Sequence, residues 1–348
     1  MTHGNKEYRS VGELGEFGLI EALTHDIKVK NPSTLKGIGD DCAVLSYPDK
    51  KIVVTTDLLT EGIHFNLVYT PLKHLGYKSA VVNFSDVYAM NAIPRQMTIA
   101  MALSGKFSKK AVDDFFNGVK LACEKYSVDL VGGDTASSLT GMTICITAIG
   151  EATETDLSYR SGAKKTDLIC VSGDLGAAYL GLQVLERERK VFEGLQSQQP
   201  DLTDYEYVLR RQLKPEARGD VIDLLKSLEI KPTAMIDISD GLSSEILHIC
   251  KESNTGCQIF ADKIPVHNDS AKVAEELNLE PVTCALNGGE DYELLFTVPL
   301  SDYEKLADQE GIHIIGHIMD ADEGKHITLP DGSSLELTAR GWQGLKEE

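Results

Sequence analysis

Segments with the residue pattern of β-strands alternate with helical segments along most of the chain, and this alternation restricts the fold more than any other feature. The pattern predicts strands over residues 51–56, 96–103, 127–131, 141–150, 167–172, 233–238, 257–260, 294–298 and 312–318. It predicts helices over residues 74–91, 109–125 and 177–188. Strands that alternate with helices are typical of an α/β fold.

The chain has 348 residues, which is enough for two domains of ordinary size. We predict an N-terminal domain over residues 1–153 and a C-terminal α/β domain over residues 154–348, which are comparable in length. A polar stretch over residues 195–203 is predicted to be a loop or an insertion.

Charge and cysteine usage restrict the partners and the compartment. The 34 basic and 54 acidic residues leave a net charge of −20, so nucleic acid and anionic membranes are unsuitable partners. Seven cysteines are scattered without a C-x-x-C pair, and this predicts reduced thiols in a cytoplasmic protein. The N-terminal residues contain no apolar signal region, and no apolar run approaches membrane-spanning length.

Acidic residues lie in five glycine-rich or apolar segments, and these carry the chemistry of the chain. The acidic residues are Asp41, Asp57, Asp86, Asp134, and the pair Asp237 and Asp240. Most of them are predicted to follow a buried strand, whereas Asp86 lies inside a predicted helix, one turn after Asn83. Each segment alone is more simply explained as a turn or a helix cap. All five together favour a shared site.

Carboxylates gathered in one cleft require cations. Two of them about 4 Å apart repel by roughly 4 kcal/mol at an effective dielectric constant of about 20. Basic residues are scarce near these segments, so the sequence predicts that metal ions neutralise them. Oxygen ligands without histidine or thiolate favour Mg²⁺ or a similar hard ion. No Walker A motif (G-x-x-x-x-G-K-[ST]) and no credible nucleophile arrangement is found.

The acidic segments also resemble those of a known superfamily, which includes aminoimidazole ribonucleotide synthetase, selenophosphate synthetase, the hydrogenase-maturation dehydratase and thiamine-monophosphate kinase. The three segments that carry this resemblance are residues 37–41 (Gly-Ile-Gly-Asp-Asp), 55–65 and 132–135 (Gly-Gly-Asp-Thr). Four further stretches resemble the thiamine-monophosphate kinases in particular: residues 15–20, 159–164, 236–242 and 287–294. The resemblance extends from about residue 12 to Trp342.

The resemblance implies a two-domain fold in which the mixed sheet of the N-terminal domain pairs across a homodimer. It implies magnesium-dependent, direct in-line transfer of the γ-phosphoryl group of ATP to thiamine monophosphate, the last step of thiamine diphosphate biosynthesis. Several Mg²⁺ ions are expected on Asp41, Thr55, Thr56, Asp57, Asp86, Asp134, Asp237 and Asp240. Among these, the resemblance implies catalytic roles for Asp57, Asp86 and Asp240.

The same resemblance implies nucleotide contacts at Gly133, Asp134, Arg160 and Ser239, and substrate contacts at His64, Glu290 and Trp342. Structural roles remain open for His64, as a histidine at a strand edge, and for Trp342, as a core tryptophan.

Two other functions are possible. Another enzyme of the superfamily would need a reactive cysteine near one end of the chain, but there is none before Cys42 and the last residues are Gly344-Leu-Lys-Glu-Glu348. A non-catalytic nucleotide-binding regulator would be expected to lack some of the aspartates, and none is missing. The residues therefore favour a kinase.

Overall fold

A computed structural model describes residues 32, 34–36, 40–195 and 201–339, the side chains of 193–195 excepted. Residues 15–20, 37–39 and Trp342, for which roles are expected, lie outside the described residues, as does most of the predicted loop at 195–203.

The strands are β1 Thr34–Lys36, β2 Ala43–Tyr47, β3 Lys50–Thr60, β4 Ile93–Leu103, β5 Asp129–Ser137, β6 Thr143–Ala152, β7 Leu168–Ser172, β8 Ala234–Asp237, β9 Thr255–Phe260, β10 Leu294–Val298, β11 Ile312–Asp320, β12 Lys325–Thr328 and β13 Ser334–Glu336. The helices are α1 Leu72–Ala89, α2 Lys109–Tyr126, α3 Ala177–Leu195, α4 Glu206–Leu213, α5 Gly219–Ser227, α6 Leu242–Ser253, α7 Asn268–Glu276, α8 Pro281–Asn287 and α9 Tyr303–Leu306.

The strands form two mixed sheets. The first has the order β1-β2-β3-β6-β4-β5, and only its β4–β5 pair is parallel. The second has the order β13-β12-β9-β11-β7-β10-β8, and its β9–β12 pair is parallel. The first sheet therefore uses residues up to 152 and the second begins at residue 168. The proposed domain boundary at 153 falls between them.

Helix α1 lies where the two sheets approach each other. It contacts β3, β4 and β6 of the first sheet, β8 of the second, and helices α2 and α4. Fourteen of its eighteen residues are buried, so it has no solvent-facing polar stripe. Helix α2, by contrast, is amphipathic: Phe115, Gly118, Val119 and Ala122 are buried along one face. The position of α1 brings its side chains between the two halves of the chain.

The predicted strands and helices are found. Several strands are longer than predicted, and in two of them the extension changes where an aspartate lies. Strand β3 continues to Thr60, so Asp57 lies within the strand and not at its end. Strand β5 continues to Ser137, so Asp134 also lies within a strand and not in a glycine turn. Parallel pairing of β5 with β4 explains the second difference. A side chain at Gly133 would place its Cβ 2.1 Å from the Ile99 carbonyl oxygen, so glycine permits the strand to continue.

All seven cysteines are free thiols, as predicted; five are buried and two are partly buried. Over the ranges that the structure describes, none of the helices combines the length and the apolar character needed to cross a membrane.

Candidate active site

Polar residues of the buried helix α1 define the site. Lys78, Ser79, Asn83 and Ser85 are all buried, which is unusual because such side chains normally face solvent. Helix geometry places Asn83 and Asp86 on neighbouring positions of one face. The backbone N–H of Asp57 on β3 donates to Asn83 Oδ1 at 3.1 Å, so Asn83 ties the helix to that strand.

Three carboxylates from separate parts of the chain converge next to this helix. One oxygen each of Asp41, Asp86 and Asp237 lies within 4.8 Å of the others. Asp41 precedes β2, Asp86 lies on α1, and Asp237 is the last residue of β8. The convergence predicted from the sequence is therefore found for these three.

Two hydroxyl groups hold this cluster in place. Thr55 Oγ1 on β3 donates to Asp86 Oδ2 at 2.6 Å. Ser85 Oγ on α1 donates to Asp237 Oδ2 at 2.5 Å, and this bond joins the two halves of the chain. The sequence reasoning missed Ser85. The signal that could have identified Ser85 is a helix that contains polar residues although it is buried on nearly every side.

The electrostatics of the cluster are unfavourable for ionised carboxylates. Burial raises the pKa of Asp86 well above its usual value, and repulsion from Asp57, Asp237 and Asp41 adds to this effect. Burial, followed by the charge of Asp41, raises the pKa of Asp237 to about 8. Burial raises the pKa of Asp57 to about 6. A bound cation would relieve this repulsion and restore the charged forms.

The residues of the cluster fit a hard divalent cation. All three donor groups of the cluster are carboxylates, and no histidine or thiolate belongs to it. Oxygen-only ligands from carboxylates are the set that Mg²⁺ uses in proteins, usually together with water and substrate phosphates. The carboxylates of Asp57, Asp134 and Asp240 are not among the described groups that meet within 4.8 Å.

Arg160 pairs with the cluster directly. Its Nε and Nη2 donate to Asp41 Oδ2 and Oδ1 at 2.8 and 2.9 Å, which is a bidentate pair. Its backbone N–H donates to Asp40 Oδ1 at 3.3 Å. Burial and the adjacent Asp41 raise the pKa of Asp40 to about 6. Basic residues are scarce near the acidic segments in the sequence, but Arg160, which the resemblance assigns to the nucleotide phosphates, lies next to Asp41 in space.

The loop after β8 contains the remaining residues of the second half. The backbone N–H of Asp240 donates to Glu245 Oε1 at 2.8 Å, and Ser239 Oγ lies 3.5 Å from the same oxygen. Glu245 is buried, and its Oε2 has no hydrogen-bond partner among the described residues. Burial and the charge of Asp240 raise the pKa of the Glu245 carboxyl group well above its usual value. Glu245 is a further acidic residue next to the site that the sequence reasoning did not identify.

Several predicted residues lie apart from the cluster. The Thr56 hydroxyl lies on the opposite face of β3 from Thr55 and donates to the Ile146 carbonyl oxygen at 3.0 Å. Gly133 and Asp134 lie on the exposed edge strand β5. His64 lies in the turn after β3, where its Nδ1 accepts a hydrogen bond from the Thr60 N–H at 3.0 Å.

The acidic motif at residues 290–293 divides into separate roles. Glu290 Oε1 lies 3.0 Å from Lys78 Nζ, and Asp291 accepts from the backbone N–H groups of Gly176 and Ala178 at the start of α3. Glu293 is buried between two arginines of the second half and also accepts from Ser172 Oγ at 2.5 Å.

Removal of the Glu293 charge is expected to destabilise the fold. Arg211 Nη1 lies 2.8 Å from Glu293 Oε1, and Arg218 Nη1 contacts Oε2. Glu293→Gln removes the buried carboxylate that both guanidinium groups share. Arg218 would keep only the exposed Asp220, and Arg211 would keep Asp291 at 3.9 Å. We therefore expect a loss of about 3 kcal/mol in the free energy of unfolding, the lower end of the range for a broken buried ion pair. Urea denaturation followed by circular dichroism measures it. The matched control is Glu276→Gln, which removes the exposed partner of Arg187 and should cost at most about 1 kcal/mol. Equal losses in both variants would contradict the prediction.

Comparison with known proteins agrees with this geometry. Residues 39–152 match the family model of the AIR synthase related protein, N-terminal domain. The thiamine-monophosphate kinase of Aquifex aeolicus is 35% identical over 331 residues, which cover 95% of this chain and 98% of that protein. The thiamine-monophosphate kinase of Bacillus subtilis is 30% identical, covering 96% of this chain and all of that protein.

Solved structures show the same fold. The structure of AaThiL complexed with AMPPCP and TMP has a TM-score of 0.83 and 32% identity, and the match covers 97% of this chain and 99% of that chain. Hydrogenase maturation protein HypE in complex with ATP has a TM-score of 0.65 at 20% identity, which is a likeness of fold alone. The mixed α/β architecture is thus that of the AIR synthase-like superfamily. On identity and coverage together, the chain belongs to the thiamine-monophosphate kinase family.

Proposed function

We propose that the protein transfers the γ-phosphoryl group of ATP to thiamine monophosphate and so produces thiamine diphosphate and ADP. The observation that carries this function is the convergence of Asp41, Asp86 and Asp237 in a chain that is similar, over nearly its full length, to thiamine-monophosphate kinases. The similar structure AaThiL was complexed with AMPPCP and TMP, which supports binding of both a nucleotide and the acceptor by this chain.

Asp41, Asp86 and Asp237 would hold Mg²⁺, with Asp57 adding a fourth negative charge nearby. When bound, Mg²⁺ neutralises phosphate charge, which is the main requirement of phosphoryl transfer. Thr55 and Ser85 keep two of these carboxylates oriented through their hydroxyl groups. We propose further ions at Asp134 and Asp240, by the family resemblance.

The acceptor needs little help from acid–base chemistry. A phosphate oxygen is ionised at neutral pH, so it can attack without a general base. We therefore propose direct in-line transfer with no phosphoenzyme. Arg160 is proposed to contact the nucleotide phosphates, and this would require part of its pairing with Asp41 to be exchanged for phosphate. Gly133, Ser239, His64 and Glu290 keep their proposed nucleotide and substrate roles.

The direct test is an assay with purified protein, ATP, Mg²⁺ and a panel of phosphorylated and unphosphorylated acceptors. We expect ADP release with thiamine monophosphate, together with a product whose mass is that of thiamine diphosphate. ADP release at the same rate without any acceptor, and without a diphosphate product, would refute the proposed function.

We also propose a homodimer that is formed through the first sheet. Leu58 on β3 is 56% exposed and Val131 on the edge strand β5 is 58% exposed, although both lie in a sheet. An exposed edge strand with unpaired backbone groups is a ready site for pairing with another chain. The resemblance to the superfamily supports pairing of the N-terminal halves about a two-fold axis.

A charged residue on this surface is expected to separate the dimer. Val131→Lys introduces a desolvation cost at each copy of the interface, so we expect the monomer to predominate at micromolar concentration. Size-exclusion chromatography with light scattering measures the mass. The control is Leu300→Lys, on an equally exposed leucine (57%) of the second half, and it should leave the mass unchanged. A wild-type protein that is monomeric at the same concentration would contradict the proposed interface.

A further inference from the structure

Lys78 is a buried lysine that does not belong to the cluster of aspartates. It lies on α1, two turns before Asp86, and only 4% of the residue is exposed. Lysine is rarely buried unless its ammonium group is paired, because desolvation of the charge is costly. Its partners therefore indicate why it is there.

The Lys78 ammonium group bridges two elements of the second half. Its Nζ donates to the Gln212 backbone carbonyl oxygen at 3.0 Å, at the end of α4, and lies 3.0 Å from Glu290 Oε1. The side-chain amide of Gln212 donates to the other carboxylate oxygen, Glu290 Oε2, at 2.8 Å. Both oxygens of Glu290 are thus held, one by a charge and one by a neutral donor.

The backbone of Glu290 is held as firmly as its side chain. Its φ angle is +58°, in the left-handed region, and it follows Gly289 at +72°. Its N–H donates at 2.7 Å to the carbonyl oxygen of Ser239, a residue of the loop after Asp237. Non-glycine residues adopt such angles at a cost, and they persist where surrounding contacts impose them.

The exposures of the two partners differ. The Glu290 side chain is 28% exposed, whereas that of Lys78 is 5% exposed. A ligand can therefore reach the carboxylate but not the ammonium group behind it. The Glu290 carboxylate is therefore available to a ligand, and the Lys78 ammonium group fixes its position and charge.

We propose that Lys78 is a positioning residue: from the buried helix that carries Asp86, it fixes the Glu290 carboxylate for contact with the phosphate acceptor. The inference rests on the proposed function, in which Glu290 contacts thiamine monophosphate. It links the acceptor side of the site to the helix that carries Asp86, so that one helix positions both Glu290 and a carboxylate of the acidic cluster.

The test is a double-mutant cycle between Lys78→Met and Glu290→Gln, read as KM for thiamine monophosphate, KM for ATP and kcat. We expect Lys78→Met to raise KM for thiamine monophosphate at least tenfold, with KM for ATP changed less than twofold. In the Glu290→Gln background, the same change at Lys78 should have little further effect on KM, because the group through which it acts has been altered. The control is Lys73→Met, an exposed lysine of the same helix, which should leave all three constants unchanged.

The cycle separates this role from a structural one. Additive effects of the two changes, or an equal rise of both KM values, would mean that Lys78 serves only to join the two halves, and the inference would be overturned. If Lys78→Met does not fold, Gln212→Leu replaces it in the cycle, because this change removes the other side-chain donor to Glu290. The same non-additivity is then expected, and additive effects would overturn the inference. Failure of the proposed function is distinguishable, since the wild-type protein would then not phosphorylate thiamine monophosphate at all.

Discussion

Replacement of Asp86 by asparagine is expected to lower kcat/KM by about a thousandfold and, at the same time, to stabilise the metal-free fold. The carboxylate would contribute to metal binding, and metal stabilisation of transferring phosphate is worth several kcal/mol, where each 1.36 kcal/mol is tenfold in rate. Without metal, the same carboxylate is buried against other negative charges, which raise its pKa together with burial. Asparagine has a similar shape but lacks the charge. We therefore expect a gain on the order of 1 kcal/mol in the free energy of unfolding of the metal-free protein, because the like charges no longer repel.

Thermal unfolding with EDTA and steady-state kinetics with Mg²⁺ measure the two effects. Asp113→Asn removes an exposed carboxylate of the neighbouring helix α2, and as a control it should change neither activity nor the free energy of unfolding by much. Mg²⁺ with AMPPCP should raise the Tm of the wild-type protein by much more than that of Asp86→Asn. A folded Asp86→Asn protein with wild-type turnover would remove the central assignment.

The pH dependence of the metal-free protein follows from the same groups. Asp57 and Asp237 have pKa values raised to about 6 and about 8, above the value of about 4 that they have when unfolded. An acid whose pKa is raised on folding contributes stability below the unfolded pKa, and this is lost as the pH rises through the folded one. With EDTA present, these groups should therefore make the free energy of unfolding fall as the pH rises from about 4 to about 8.

Thiamine without a phosphate is expected to be an acceptor at least about ten-thousandfold worse than thiamine monophosphate, as kcat/KM. The reacting oxygen belongs to the acceptor phosphate, so its loss removes both the nucleophile and the group that the acidic cluster and its cation would bind. Sites that are built to pair a polar group reject analogues lacking that group by about 10⁴–10⁵-fold. A thiamine hydroxyl would also need a general base, whereas the acceptor phosphate is already ionised at neutral pH.

Competition between the two acceptors, resolved by mass spectrometry of the products, measures this ratio directly. Thiamine present in large excess should leave the rate of thiamine diphosphate formation nearly unchanged. Comparable rates for both acceptors, with thiamine monophosphate accumulating from thiamine, would mean that the acceptor is not held through its phosphate.

Part of the fold could be predicted from local sequence, although no bounds were predicted for strands β1, β2, β12 and β13 or for helices α4 to α9. Apolar runs such as residues 294–298 coincide with strand β10, and an amphipathic pattern places α2 within one residue of its observed end. These features depend on neighbours within a few positions, so periodicity is sufficient to find them. The two aspartates whose positions differed, Asp57 and Asp134, lie in strands that are prolonged by pairing with distant strands, which local patterns do not report.

The chemistry of the site was also partly determined by the sequence. Oxygen-ligand residues in recurring apolar and glycine-rich segments predict a hard cation, and Asp41, Asp86 and Asp237 do converge. The sequence could not determine which side chains form hydrogen bonds to these carboxylates. Ser85 bonds to Asp237 across 152 positions, and Arg160 to Asp41 across 119.

Only the tertiary structure decided these partners, because a hydrogen bond depends on distances of about 3 Å and not on separation along the chain. The packing of α1 between the two sheets is the deciding feature. It buries Lys78, orients Ser85 toward the second half, and places Asp86 against residues from both halves. The sequence by itself therefore determined most of the strands and the type of chemistry, because these depend on local patterns and on residue type. The packing of one buried helix decided which residues are the electrostatic partners of the acids.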